Sequence, residues 1–231
     1  MTLRAIGFDL DNTLYDQAQH MRSFFRVAAD DLGAKFQAPP SDIEHVFTTV
    51  WTRRTSYYAR LFDEVLEELG RHDKLIVREL ISLYHRHRAD LTLFDGVGAM
   101  LGRLRSRVPL FLITDGNEEM QQAKIDTLGL GTLFDEIIIT GHFGKDWAKP
   151  AVHAYRRIVE RFGGAPFEYL YVGDNPACDF YGAKQLGMRT VRVLTEPFAR
   201  HEPLDDDYAA HVAVTRTTDL EQVLHDFEAA I

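Results

Sequence analysis

Cysteine is almost missing from this chain: Cys178 is the only one among 231 residues. No intrachain disulfide can form, and a reducing, cytoplasmic setting is expected. Long apolar runs are missing too. None approaches the roughly 20 residues that a membrane-spanning helix needs, so no membrane partner is expected. Positive charge is in deficit, with 26 Lys+Arg against 35 Asp+Glu and a formal net charge of −9. That disfavours general binding of nucleic acid or anionic lipid, while a local basic pocket could still hold an anion. The opening MTLRAIGFDL has one Arg and no cleavage-site pattern, so no secretory leader is expected. Internal repeats and low-complexity tracts are lacking as well. What remains, 45% hydrophobic and 26% charged residues, is ordinary for a soluble globular protein with a substantial core.

The most informative feature present is the pair Asp9 and Asp11 in LRAIGFDLDNTLYD, at the exit of an apolar run that reads as a strand from about Leu3 to Asp9. Side chains two apart in a strand share a face. Both carboxylates are therefore expected in one pocket at the carboxyl edge of a sheet, where open α/β sheets bind ligands. Like charges so close repel unless a proton or a metal ion intervenes, and a divalent cation is the expected occupant.

Residues 16–92 hold no convincing strand. Helical periodicity recurs through MRSFFRVAADDL, IEHVFTTVWTRR, SYYARLFDEVLEELG and LIVRELISLYHRHR. PPSD at 39–42 interrupts them, with Ser41 or Asp42 the expected cap of the next helix, and Gly70 is expected to end another. From residue 93 onward strands alternate with helices: VPLFLIT, FDEIIIT, EYLYVGD, RTVRVL and HVAV are the strands. This alternation predicts a parallel sheet with helices on both faces. The expected fold is α/β, a Rossmann-like three-layer core of residues 1–15 and 93–231 with an inserted α-helical cap subdomain of residues 16–92.

Each of the first four strands ends in polar chemistry. After the first come Asp9 and Asp11; after the second, Thr114-Asp115-Gly116-Asn117. The third leads into GHFGKDWAKP, with Lys149 before Pro150, and the fourth into GDNPACD, with Asp174 and Asp179. Parallel strands would align all four loops on one edge. Carboxylates, a hydroxyl, small residues and an ammonium suit phosphoryl transfer, in which a protein positions reactants and stabilises charge. Mg²⁺, a hard cation with a preference for oxygen, lets a carboxylate approach a phosphate anion.

In that order FDLDNTL, LITDGN, the AKP lysine and VGDNPACD resemble the four motifs of the haloacid dehalogenase-like hydrolase superfamily. The helical insertion lies where the first cap class of that superfamily carries its cap. The resemblance implies that Asp9 is a nucleophile forming an aspartyl-phosphate. It implies that Asp11 protonates the leaving oxygen and then, as base, activates water. Thr114 and Lys149, with Asp115 beside them, would bind phosphate. Mg²⁺ would be held by Asp9, the backbone carbonyl of Asp11 and Asp174. Asp179, assisted by Asn175, would orient Lys149 or a metal-bound water.

Several alternatives stay open. Thr114 also fits the N-cap of the helix beginning EEMQQ. Lys145 competes with Lys149 in a loop lengthened by DWA relative to the family's G-x-x-K-P form. Pro150 is expected at the first position of its helix. Trp147 is expected to pack that loop, and Cys178, with no base beside it, reads as a packing thiol.

Asp11 separates the chain from dehalogenases, whose halide leaves without a proton. The expected activity is that of a phosphatase of a small phosphorylated metabolite, nucleotidase-like or phosphoglycolate phosphatase-like. A phosphomutase of the β-phosphoglucomutase type shares nearly all the core residues, and a non-catalytic phosphometabolite-binding relative is the alternative outside enzymes. Substrate choice is expected in the cap, where Arg53, Arg54 and Tyr57 can share a helical face. Tyr15 and Gln17 are candidate leaving-group contacts. His85 and His87 read as a solvated helix face with no zinc site. A monomer and a homodimer both fit the sequence.

Overall fold

The computed structural model describes residues 3–54 and 59–229. It divides into two compact units, one of Gln17–Leu91 and one of Met1–Asp16 with Thr92–Ile231. No described helix is long and apolar enough to cross a membrane.

The first unit is helical, with α1 (Ala18–Phe36), α2 (Pro40–Arg54), α3 (Leu61–Glu68) and α4 (Lys74–Arg86). Met21, Phe24, Phe25, Ala28 and Leu32 recur at three- and four-residue steps along α1 and form one buried stripe. They meet Ile43, Phe47 and Val50 of α2, Val65 and Leu66 of α3 and Leu80 of α4.

Pro40, not Ser41 or Asp42, marks the start of α2. Its missing N–H and fixed φ suit the first helical position, which pushes both expected cap residues inside the first turn. Gly70 does end α3, in the left-handed region at φ +64°. Its N–H donates to Glu67 O and the Arg71 N–H to Leu66 O, closing the helix with two nested backbone bonds. His87 is buried, not solvated. Its Nε2 lies 3.0 Å from Ser23 Oγ and its ring is 5.2 Å from that of His20, because α4 ends at Arg86 and the chain turns inward there.

The second unit carries β1 (Ala5–Phe8), β2 (Leu110–Thr114), β3 (Glu136–Ile139), β4 (Tyr169–Gly173), β5 (Arg189–Val193) and β6 (Val212–Val214). All pair in parallel, in the order β3-β2-β1-β4-β5-β6. Its helices are α5 (Val97–Arg105), α6 (Glu118–Thr127), α7 (His153–Phe162), α8 (Tyr181–Leu186) and α9 (Leu220–Ala229). The central strands are buried along their whole length, as strands covered on both faces must be. On one face Phe111, Ile113, Tyr169 and Tyr171 pack with Ala154, Tyr155 and Ile158 of α7 and Ala183 of α8. The alternating residues Ile6, Phe8, Leu112, Leu170 and Val172 are buried on the other. This is the Rossmann-like three-layer arrangement.

Gly7 of β1 is fixed by this packing. A Cβ there would lie 2.0 Å from the Phe111 ring, so the aromatic occupies the space a side chain would need. The strand order reverses direction between β1 and β4, and at such a switch point the loops diverge to leave a crevice beyond the carboxyl ends.

Candidate active site

β1 ends at Phe8, yet the Asp9 N–H still donates to Val172 O at 2.9 Å, so Asp9 is held as one more rung against β4. The chain then turns. Asn12 adopts φ +58° and the Leu14 N–H returns to Leu10 O at 3.0 Å. Two distant hydroxyls pin the turn: Thr195 donates to Asn12 O at 2.6 Å and Thr217 to Thr13 O at 2.5 Å. The two carboxylates consequently take different cationic partners, Lys149 for Asp9 and Lys124 for Asp11, while Asp11 still repels Asp9.

Asp9 meets Lys149. The ammonium donates to Asp9 Oδ1 at 2.6 Å and to Asp179 Oδ1 at 2.6 Å, and Thr13 Oγ1 lies 3.4 Å from Asp9 Oδ2. The other oxygen of Asp179 accepts the backbone N–H groups of Asp174 (3.1 Å) and Asn175 (2.9 Å), which fixes the loop after β4. Gly173 makes room for this: a Cβ there would stand 2.5 Å from Asp179 Oδ2. Oxygens of Asp9, Asp174 and Asp179 all lie within 4.8 Å of one another. Asp174 Oδ2 is buried with no hydrogen-bond partner among the described residues.

The electrostatics follow from three buried carboxylates sharing one ammonium. Burial pushes Asp9 up to about 7, with Asp179 and Asp11 adding repulsion that Lys149 only partly offsets. Asp174 rises well above its ordinary range through burial and then through its neighbours Asp179 and Asp9. Burial alone would lower the Lys149 ammonium, but Asp179 and Asp9 outweigh it and hold the group well above its ordinary value. The cluster is short of positive charge, and a buried carboxylate oxygen with no donor points to where a cation would be accommodated.

Asp11 belongs to a second network. Lys124 Nζ donates to its Oδ1 at 2.7 Å, Gln121 Nε2 to its Oδ2 at 2.9 Å, and the Tyr15 hydroxyl also donates to Oδ1. Burial would raise this carboxyl, but Lys124 and the donors from Tyr15 and Gln121 outweigh it and bring the group below its usual value. The same Gln121 nitrogen lies 2.5 Å from Thr114 Oγ1. Gln121 and Lys124 carry no motif that marks them in the sequence. Their signal was a buried-face position: both alternate with Met120 and Ile125 on the inward side of α6, where a helix normally places apolar residues.

Thr114 does not cap α6; Asn117 does, its Oδ1 accepting the Met120 N–H at 3.1 Å. Thr114 is left buried at the end of β2, tied to Gln121. The Asp115 carboxylate faces away toward the third loop. It accepts the Thr140 hydroxyl at 2.7 Å and the Lys149 N–H at 3.1 Å, and so anchors the backbone of the lysine.

Pro150 follows a cis peptide bond and lies in a turn closed by Ala151 N–H to Ala148 O; α7 opens only at His153. Lys145 is exposed. Trp147 stacks on Phe143 with ring centroids 4.3 Å apart. Asn175 Oδ1 accepts the Ala177 N–H at 3.0 Å, shaping the turn. Burial pushes the Cys178 thiol well up, and Asp179 adds to this. In the helical unit Arg53 donates to Glu64 and Glu68, and Arg54 Nε to both oxygens of Glu64 at 3.1 and 2.9 Å. Tyr57 lies outside the described residues.

Against known proteins, the family description haloacid dehalogenase-like hydrolase matches residues 3–187. The chain is 30% identical over 211 residues to a glyceraldehyde 3-phosphate phosphatase of Methanocaldococcus jannaschii, covering 90% of this chain and 91% of that protein. It is 27% identical to the N-acylneuraminate-9-phosphatase of Mus musculus, over 99% of this chain and 96% of that one. A phosphoserine phosphatase of Thermus thermophilus is 36% identical across 58% of this chain and 53% of its own length. Among solved structures, a putative HAD-hydrolase of Bacillus subtilis bound to magnesium superposes with a TM-score of 0.73 at 17% identity, covering 97% of this chain and 99% of that one.

Proposed function

The chain belongs to the haloacid dehalogenase-like hydrolases, and on that premise we propose that it is a Mg²⁺-dependent phosphatase of small phosphorylated metabolites, working through an aspartyl-phosphate on Asp9. The observation that carries this reading is the meeting of Asp9, Lys149, Asp179 and Asp174 at the switch point of the sheet. The named relatives act on phosphate esters of small polar metabolites, which sets the substrate class. Residues 1–15 and 93–231 are the catalytic core and residues 16–92 the cap that selects substrate. We place the activity in the cytoplasm.

A divalent cation fits the donor set. Asp9 and Asp174 supply carboxylate oxygens, one of them buried without a donor, and the backbone carbonyl of Asp11 completes the protein's share. When bound, Mg²⁺ supplies charge that offsets repulsion between the Asp9 carboxylate and a phosphate anion.

Thr114, at the end of β2, contacts the phosphoryl oxygens with its hydroxyl, and the N-terminus of α6 that follows adds oriented N–H groups and a favourable dipole. Lys149 neutralises charge that passes between Asp9 and the phosphoryl group. Asp9 attacks phosphorus, the bond from phosphorus to the leaving oxygen breaks, and that oxygen takes a proton from Asp11. A bound phosphate dianion adds negative charge beside Asp11 and so draws onto it the proton this step requires. Water then attacks the phosphoryl group and gives its proton to Asp11. The bond between phosphorus and Asp9 breaks, and inorganic phosphate leaves.

The test is a panel of phosphorylated metabolites assayed for released phosphate, with Asp9→Asn as control. Release from at least one small phosphate ester, absent in the variant, is expected. A fully active Asp9→Asn protein contradicts the assignment of the nucleophile.

A further inference from the structure

α6 spends its inward face on two polar side chains. Gln121 is fully buried and Lys124 nearly so, beside Met120 and Ile125. A buried ammonium and a buried amide are costly unless partnered, and apolar residues would pack such a face without that cost. The partners of their nitrogens explain the choice, although the Gln121 amide oxygen has no hydrogen-bond partner among the described residues. One turn apart on the helix, Lys124 and Gln121 each hold a different oxygen of Asp11, at 2.7 and 2.9 Å. Tyr15 donates to the Lys124-bound oxygen from the other side of the loop. The carboxylate is thereby gripped at both oxygens and cannot rotate freely.

The amide orientation of Gln121 is settled by chemistry. Only its nitrogen can face a carboxylate, since its oxygen would meet another acceptor. That same nitrogen lies 2.5 Å from Thr114 Oγ1. The threonine oxygen must then accept, which leaves its single hydroxyl hydrogen free to point elsewhere.

We propose that Lys124 and Gln121 are positioning residues for the two halves of the reaction. Lys124 fixes Asp11 as the base for hydrolysis of the phosphorylated Asp9, and Gln121 aims the Thr114 hydroxyl at the phosphoryl group. The inference rests on the reading of Asp11 as the acid–base residue.

The experiment uses p-nitrophenyl phosphate, whose leaving group departs without needing a proton, so that phosphorylation of Asp9 survives the loss of Asp11 positioning. With Mg²⁺ present, Lys124→Met is expected to release a burst of about one p-nitrophenolate per protein and then turn over roughly 10–100-fold more slowly than the parent, less than the roughly 10²–10⁴-fold that loss of the proton-transfer group itself would cost. Phosphoprotein should accumulate in acid-quenched samples, and Lys124→Arg should restore part of the turnover. A merely structural role would lower burst and turnover in proportion, and that result, or an unchanged rate, overturns the proposal.

Asp11→Asn separates the two layers of the argument. If it shows no burst, the acid–base reading fails, and with it the proposal; if it bursts and Lys124→Met does not, the inference about Lys124 alone fails. Should Lys124→Met not fold, Asp11→Asn combined with Lys124→Met leaves no buried charge unpaired. Turnover equal to that of Asp11→Asn alone supports the proposal, and a further severalfold loss overturns it. For Gln121→Leu, inhibition by inorganic phosphate should weaken about tenfold, the effect of one oriented hydrogen bond to a charged group. Unchanged inhibition removes Gln121 from the account.

Discussion

The Lys149 ammonium lies 2.6 Å from Asp9 Oδ1, although 140 positions separate the two residues in the chain. The fold brings them together because β1 and the loop after β3 open on the same edge of a parallel sheet. Asp115 then anchors the Lys149 backbone from the second loop, and Asp179 shares its ammonium from the fourth. All four strand ends are thus joined in one chain of contacts.

Lys149→Met should therefore do two separable things. It should lower kcat by about 10²–10³-fold, the usual effect of removing one group that stabilises developing charge. It should also destabilise the metal-free protein by up to about 3–5 kcal/mol, because buried carboxylates lose their cation. Steady-state assays measure the first, and urea unfolding the second. Loss of activity with unchanged unfolding would separate the lysine from the buried charge balance argued here.

Mg²⁺ should stabilise the folded protein without any substrate. At about 100 times its Kd a ligand of the native state contributes roughly 2.7 kcal/mol. For a chain of this size that is a rise of about 5–10 °C in Tm. Asp174→Asn should abolish most of the rise, whereas Asp95→Asn, altered at an exposed carboxylate outside the site, should keep it. Equal shifts in both variants would place the ion elsewhere.

Two glycines make opposite predictions. Gly7→Ala forces a methyl to within 2.0 Å of the Phe111 ring and should cost about 1–3 kcal/mol by overpacking. Gly102 sits exposed inside α5, with nothing within 4 Å of where a Cβ would be. Gly102→Ala should stabilise by roughly 0.5–1 kcal/mol through helix propensity. Thermal unfolding of both variants measures the pair, and a destabilised Gly102→Ala would show that α5 is packed differently.

The parts of this fold that could be read in advance are those in which local pattern and tertiary role agree. LFLIT and YLYVG are buried throughout because both sheet faces are covered, and their loops carry polar residues because the sheet opens there. Pattern failed where the backbone left regular geometry. Alternation foresees the crowding of Asp9 and Asp11 but not that, after the turn at Asn12, each takes its own lysine, Lys149 and Lys124. Pro150 looked like a helix start, yet it lies in the turn before α7. Pattern does not mark Lys124 and Gln121, because polar residues in a helix usually face solvent. Only the three-dimensional partner, a carboxylate 113 positions away for Lys124, shows why they are buried.

The most direct measurement is of the phosphoryl group itself. The protein is mixed with Mg²⁺ and a hydrolysed phosphate ester, quenched in acid within a turnover, and digested for mass spectrometry. The account predicts a phosphoryl adduct on the peptide carrying Asp9, absent in Asp9→Asn and lost when EDTA replaces Mg²⁺. A phosphoryl group on another residue, or brisk phosphate release from Asp9→Asn, would contradict it.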